Sequence, residues 1–98
     1  LSPILRELQS EPGNPASLAE WARRSNTTER TLSRRCQSQL GISFNEWRQR
    51  ARLVAALTLL DNKEPVHSIS ARLGYSTPSA FISMFRRLTG TTPTQISQ

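Results

Sequence analysis

Residues 66–90 read VHSISARLGYSTPSAFISMFRRLTG. Val66 and Ile69 stand at helical spacing, and Leu73-Gly74-Tyr75-Ser76 then interrupts it with a glycine turn. Thr77-Pro78 follows, an N-cap residue and a proline at the first helical position, the pair that opens a helix. From there Phe81, Phe85 and Leu88, broadened by Ile82 and Met84, fall on one stripe at about 100° per residue. Gly90 closes the helix, as glycine does just past a C-terminus. Ser79, Ala80, Ser83, Arg86 and Arg87 occupy the opposite side, which holds no acid. The stretch reads as a short helix, a tight turn and a longer helix with one apolar and one basic face.

The same layout occurs upstream, over residues 17–41. Ser17 caps a short helix carrying Leu18, Trp21 and Ala22; Ser25-Asn26-Thr27 turns; Thr28 caps a longer helix that Gly41 stops. Thr28-x3-Leu32-x3-Cys36-x4-Gly41 matches Thr77-x3-Phe81-x3-Phe85-x4-Gly90 position for position, and the turn of the second copy is one residue longer. Leu32, Cys36 and Leu40 make the apolar stripe here. Arg30, Thr31, Arg34, Gln37 and Ser38 lie opposite, and Glu29 stands near the positive end of the helix dipole, where an acid is stabilising. An internal repeat of this kind is the layout of two helix-turn-helix motifs.

Between the copies, Ser43 is expected to cap a long helix over about 44–61, with Glu46 completing a Ser-x-x-Glu capping box. At 1.5 Å per residue that helix is about 27 Å long. Asn62-Lys63-Glu64-Pro65 ends it. Upstream of both copies, Ser2-Pro3 reads as a cap and first residue, Ile4, Leu5 and Leu8 as an apolar stripe, and residues 11–15 (EPGNP) as a break. Downstream, Thr92-Pro93 opens a seventh, short helix. No segment alternates apolar and polar residues. The expected fold is all-α: a single domain over 1–98 of seven helices. It has a first helix-turn-helix at 17–41, a linker helix at 44–61, a second helix-turn-helix at 66–90 and the start of a last helix at 92–98.

The chain has 98 residues and a net charge of +6, with Lys63 its only lysine. Such a balance favours a polyanion, and arginine's planar fork can grip phosphate or guanine at two points. Arginine enrichment also fits a GC-rich coding sequence, so charge alone decides little. A DNA major groove about 12 Å wide admits one α-helix, and tandem readers of one duplex face sit about 34 Å apart. The linker helix and its flanking turns are the right size of spacer. A helical bundle with merely solvated faces is the competing reading. The repeated cap, stripe and glycine spacing and the acid-free outward faces favour a double-stranded DNA partner.

Other classes lack their chemistry. Cys36 and His67 are each the only residue of their type, so no disulfide and no metal site is expected. There is no nucleophile–base pair, phosphate-cradling loop or set of paired carboxylates, so neither catalysis nor a cofactor is expected. No apolar run approaches the ~18 residues of a membrane span. No leader is apparent, and a start at Leu1 fits a segment of a longer protein. A cytoplasmic, nucleoid-associated location is expected. Trp21, Trp47, Phe81 and Phe85 are read as core, Tyr75 as pinning its turn, and Cys36 as an inert buried thiol. Arg23 and Arg24 either meet phosphate or are only solvated. Arg48, Arg50 and Arg52 lie along the linker helix, and Arg52 is the best candidate of the three for a structural or backbone contact.

Ile69-x3-Leu73-Gly74-Tyr75-x5-Phe81-x3-Phe85-Arg86-Arg87-x2-Gly90-x-Thr92-Pro93 resembles the second motif of the AraC/XylS family of bacterial transcription regulators, and Arg52-Leu53-x2-Ala56-x2-Leu59-Leu60 resembles its linker helix. The resemblance covers about Ser17 to Pro93. It implies two recognition helices in adjacent major-groove segments. Carried over by position, it places base contacts on Arg30, Thr31, Ser33 and Arg34, and on Pro78, Ser79, Ala80 and Ser83. It places backbone contacts on Thr28, Arg35, Gln37, Arg52, Ser76, Thr77, Arg86 and Arg87. It also implies an N-terminal sensing or dimerising domain outside this chain, and RNA polymerase as a partner. Three positions depart from the family pattern: Ser83 where a long polar or basic residue is common, Cys36 where an aromatic is usual, and Ile96 where Tyr is frequent. With only short side chains on its groove face, the second motif is expected to read less than the first, where Arg30 and Arg34 can reach guanine N7 and O6.

Overall fold

The structure, a computed structural model, describes residues 2–96. Seven helices follow one another: α1 (Ser2–Ser10), α2 (Leu18–Arg24), α3 (Glu29–Leu40), α4 (Phe44–Asp61), α5 (Val66–Arg72), α6 (Pro78–Thr89) and α7 (Pro93–Ile96). No strand occurs among the described residues. The all-α, two-motif architecture expected from the repeat is the one observed. Residues 97 and 98, part of the expected last segment, lie outside the described residues.

Local chemistry sets most helix ends. The hydroxyls of Ser17, Thr28, Ser43 and Thr77 accept backbone N–H bonds from Glu20, Thr31, Glu46 and Ala80 at 3.1–3.2 Å. Each satisfies an N–H that the helix itself leaves without a partner. At the other end, Gly41 (φ 72°) and Gly90 (φ 79°) take the left-handed conformation that closes α3 and α6.

Two expectations at helix starts are corrected. Ser2 is the first residue of α1 rather than its cap, a shift of one position that puts the cap site outside the described residues. The Ser43 half of the expected capping box forms, but Glu46 does not reach back. Its carboxylate accepts instead from Arg87 (3.0 Å) and stands 3.6 Å from Arg50. Charged donors outbid one backbone N–H. A reciprocal box forms where none was expected, at the start of α7: the Gln95 N–H donates to Thr92 Oγ1 (3.3 Å), and the Thr92 N–H to Gln95 Oε1 (3.1 Å).

The apolar stripes gather into two cores rather than one. Ile4, Leu8, Ala16, Trp21, Ala22, Leu32, Cys36 and Phe44 form the first, with Leu18 and Trp47 packed on it. Ala56, Leu60, Ile69, Leu73, Phe81, Met84 and Phe85 form the second, edged by Tyr75 and Ile82 among others. Each buried Leu or Phe is worth about 1.5–3 kcal/mol against leaving it in water. α4 belongs to both: Phe44 near its start lies in the first core, Ala56 and Leu60 near its end in the second. The molecule is accordingly elongated, 44 × 21 × 20 Å.

Candidate nucleic-acid interface

α3 and α6 are 12-residue helices, each held by a seven-residue partner, α2 or α5. The buried Leu32 and Cys36 turn one side of α3 inward; Phe81, Met84 and Phe85 do the same for α6. What remains outside follows from the 100° step. On α3, Arg30, Arg34, Arg35, Gln37 and Ser38 are exposed, and Thr31 and Ser33 are half-buried. On α6, Pro78, Ser79, Ala80, Ser83, Arg86 and Arg87 are exposed, as are Ser76 and the cap Thr77 just before it. Thr28 is exposed too, and its hydroxyl also donates to Thr31 Oγ1 at 2.9 Å. That bond occupies one acceptor site of the Thr31 hydroxyl and leaves its own hydrogen free to donate.

The arginines fall into distinct groups. Arg24, Arg50, Arg72 and Arg87 each face a carboxylate, on Glu7 (3.7 Å), Glu46 (3.6 Å), Glu64 (2.6 Å) and Glu46 (3.0 Å) respectively. Arg48 and Arg52 are half-buried and donate to the backbone carbonyls of Ala16 and Pro12. Arg30, Arg34, Arg35 and Arg86 are exposed with no acid or hydrogen-bond partner among the described residues. Arg6 on α1 and Arg23 on α2 are exposed in the same way, so four of the six such arginines lie on α3 and α6. α6 contains no acid, and α3 only Glu29 in its first turn.

Two residues expected to face DNA backbone are occupied inside the protein. Arg52 Nε donates to the Pro12 carbonyl at 3.0 Å, and its guanidinium lies 4.9 Å from the centre of the Tyr75 ring. Arg87 Nη2 donates to Glu46 Oε2 (3.0 Å) and Gln49 Oε1 (2.6 Å) on α4. Arg24 stacks over Trp21 beside its ion pair with Glu7, while Arg23 stays exposed. Tyr75 packs against Phe81 with ring centres 5.8 Å apart, as expected of a residue that pins its turn. Sequence reasoning did not single out Arg48. Its guanidinium sits over Phe44, and burial, with Arg52 nearby, lowers its pKa from the usual value. It stays charged, since arginine does not lose its proton in proteins. The acceptor, Ala16, is 32 residues away, and no local pattern signals such a bond.

Two capped helices of equal length, each braced by a shorter one and each turning a basic face outward, define a double helix-turn-helix DNA-binding domain. The helix-turn-helix domain family model matches residues 21–98, and the chain belongs to the AraC/XylS family of these domains. Among its relatives, the HTH-type transcriptional regulator NimR of Escherichia coli is 38% identical over 77 residues, covering 79% of this chain and 28% of that protein. The HTH-type transcriptional regulator RipA of Corynebacterium glutamicum is 33% identical over 90 residues, 92% of this chain and 27% of that protein. The chain thus spans little more than a quarter of the length of these relatives. Among solved structures, the C-terminal domain of AraT, a response regulator from Geobacillus stearothermophilus, superposes with a TM-score of 0.85 at 31% identity, covering 99% of this chain and 85% of that one. The DNA-binding domain of AdpA, solved with a target DNA, shares the fold at a TM-score of 0.91 and 24% identity, covering 98% and 87%.

Proposed function

We propose that the chain binds duplex DNA sequence-selectively, with α3 and α6 in adjacent major-groove segments, as the C-terminal DNA-binding part of a transcription regulator. The carrying observation is the charge of the two outer faces: Arg30, Arg34, Arg35 and Arg86, four of the six arginines without a partner among the described residues, lie on the capped recognition-type helices, whose only acid is Glu29. The 44 Å long axis accommodates two helices separated by one helical turn, about 34 Å. Arg30 and Arg34 are the principal base readers, bidentate to guanine, with Thr31 and Ser33 beside them. Pro78, Ser79, Ala80 and Ser83 line the second groove segment. Ala80 suits a thymine methyl, and Ser79 and Ser83 accept several bases. Part of the second site's selectivity then comes from DNA shape. Thr28, Arg35, Gln37, Ser76, Thr77 and Arg86 hold phosphates, the helix N-termini at Thr28 and Thr77 favouring anions. The whole protein, on this reading, adds an N-terminal sensing or dimerising domain and works with RNA polymerase in the bacterial cytoplasm. The chain acts as a binding module rather than an enzyme.

Selection from a random duplex library at near-physiological salt tests this. Enrichment of two short boxes about one helical turn apart, the better-defined one containing guanine, is the expected result. No enrichment, with binding that vanishes as salt rises, would reduce the activity to charge attraction and overturn it.

A further inference from the structure

The two hydrophobic cores have no residue in common, and α4 passes from one to the other. A long helix fixes a distance, but helices curve, and one helix alone leaves the rotation of one motif against the other weakly determined. Groove reading needs that rotation fixed. We propose that Arg52 and the Arg87–Glu46 pair are positioning residues that lock the rotation of α6 relative to α3, and so set the box spacing the domain accepts. The proposal rests on the two-helix reading above.

Two ties run off the axis of α4 and meet α6 at opposite ends. The first reaches the turn just ahead of its cap. Arg52, on α4, holds the Pro12 carbonyl of the α1–α2 loop on one side and covers the Tyr75 ring on the other. Beneath it the loop and the α5–α6 turn meet backbone to backbone. A Cβ on Gly74 would lie 2.8 Å from the Gly13 carbonyl oxygen and 3.3 Å from the Arg52 guanidinium, and one on Gly13 would collide with the Arg72 carbonyl. Side chains are excluded from this seam, and Gly74 (φ 85°) is also in the left-handed region that glycine adopts without strain. The second tie reaches the C-terminal half of α6. Arg87 there grips Glu46 and Gln49, in the first half of α4, across about forty residues of sequence. Glu46 is itself placed by the Ser43 cap that starts α4 beside the first core. A rod held near both ends cannot roll or swing. The half-buried Arg52, occupied on two sides, is correspondingly ill-placed as a phosphate contact.

The test uses the purified chain and duplexes carrying both selected boxes, at their selected spacing and with one base pair inserted. Each insertion turns one box about 35° from the other. Fluorescence anisotropy across a salt series gives the affinities, and thermal melting by circular dichroism confirms that variants fold. The wild type should lose about tenfold or more on insertion, since putting the second box out of register costs at least what one mismatched base pair does, about 1–3 kcal/mol. Arg52→Met and Glu46→Ala should cut that penalty below about threefold while leaving the slope of log affinity against log salt unchanged. If Arg52→Met fails to fold, Glu46→Ala carries the test, because Glu46 stands in neither core. A uniform loss at every spacing, with the salt slope smaller by about 0.9, would make the residue a phosphate contact and overturn the proposal. So would a spacing penalty equal to the wild type's. A wild type that is indifferent to spacing overturns the two-helix reading along with it, whereas spacing-sensitive variants overturn the ties alone.

Discussion

Replacing Arg34 by Ala should abolish selectivity at one base pair while leaving the fold intact. Arg34 is exposed on α3, two residues from each of the buried Leu32 and Cys36 and so on the face opposite them, and has no partner among the described residues. Its loss breaks no hydrogen bond or ion pair among the described residues, and surface changes of that kind stay within about 0.5 kcal/mol of stability. Bound to guanine through two hydrogen bonds, the same side chain contributes about 1–3 kcal/mol of discrimination, or about 5- to 150-fold in affinity. The comparison variant is Ser83→Ala on α6, also exposed, where a hydroxyl that several bases satisfy is removed. Affinities for the selected duplex, for single-base substitutions of each box and for a scrambled duplex should be measured at one salt concentration. Arg34→Ala should flatten the profile at one position of the first box and leave scrambled DNA nearly unaffected, with Ser83→Ala causing a smaller change in the second box. If Ser83→Ala relaxed sequence preference more than Arg34→Ala, the ranking of the two motifs would be wrong. Equal loss on selected and scrambled DNA would make Arg34 a phosphate contact.

Phe85→Ala should destabilise the second core by about 3–5 kcal/mol, a large share of a total that is typically 5–15 kcal/mol. Phe85 is fully buried and meets Phe81 edge-on at 5.9 Å, and a fall in melting temperature of less than about 5 °C would contradict that packing. Hydrogen bonds from Arg72 and Ser68 lower the Glu64 pKa from its ordinary 4.5. A carboxyl whose folded pKa lies below its unfolded one stabilises the fold above the unfolded value and loses that contribution as pH falls through the folded value. Melting temperature should therefore drop on acidification below about pH 4.5, and less so in Glu64→Gln; identical pH profiles would remove the Arg72–Glu64 bond from the stability account. Burial raises the Cys36 thiol pKa, so a maleimide at about pH 8 should label it only as fast as the chain opens, and immediate native-state labelling would contradict the burial.

Features governed by nearest neighbours could be read before any coordinates. Thr28, Ser43 and Thr77 cap because a short oxygen side chain meets an N–H three residues on, and Gly41 and Gly90 stop helices because a left-handed residue must follow. The two stripes that became two cores were visible as i, i+4 spacings. Legibility failed where partners lie far apart in sequence. Glu46 shows why: Ser-x-x-Glu is the local signature of a box, yet Arg87 reaches it from 41 residues away with a charged donor. The same signature at Thr92-x-x-Gln95, with no cation competing, forms the box in full. Arg52 and Arg87 were placed on the DNA backbone by position in the family resemblance. The acceptors that hold them, the Pro12 carbonyl and the Glu46 carboxylate, come from packing angles that no spacing encodes. Arg30 and Arg34 were legible as exposed because a narrow stripe fixes the opposite face of a 12-residue helix.

The two motifs share a scaffold and divide its labour. α3 carries three free arginines, and its N-terminal turn needs only its own cap to present them. α6 carries small side chains and one free arginine, Arg86, and is fastened at both ends to the rest of the molecule. Long side chains tolerate a helix placed a little loosely, because their own rotamers take up the slack. Serine and alanine cannot, since a hydroxyl or methyl reaches a base edge only when the helix lies close and square to the groove. A motif that reads with short side chains therefore needs firm placement. The ties through Arg52 and through Arg87 to Glu46 supply it where the second motif's chemistry requires it most.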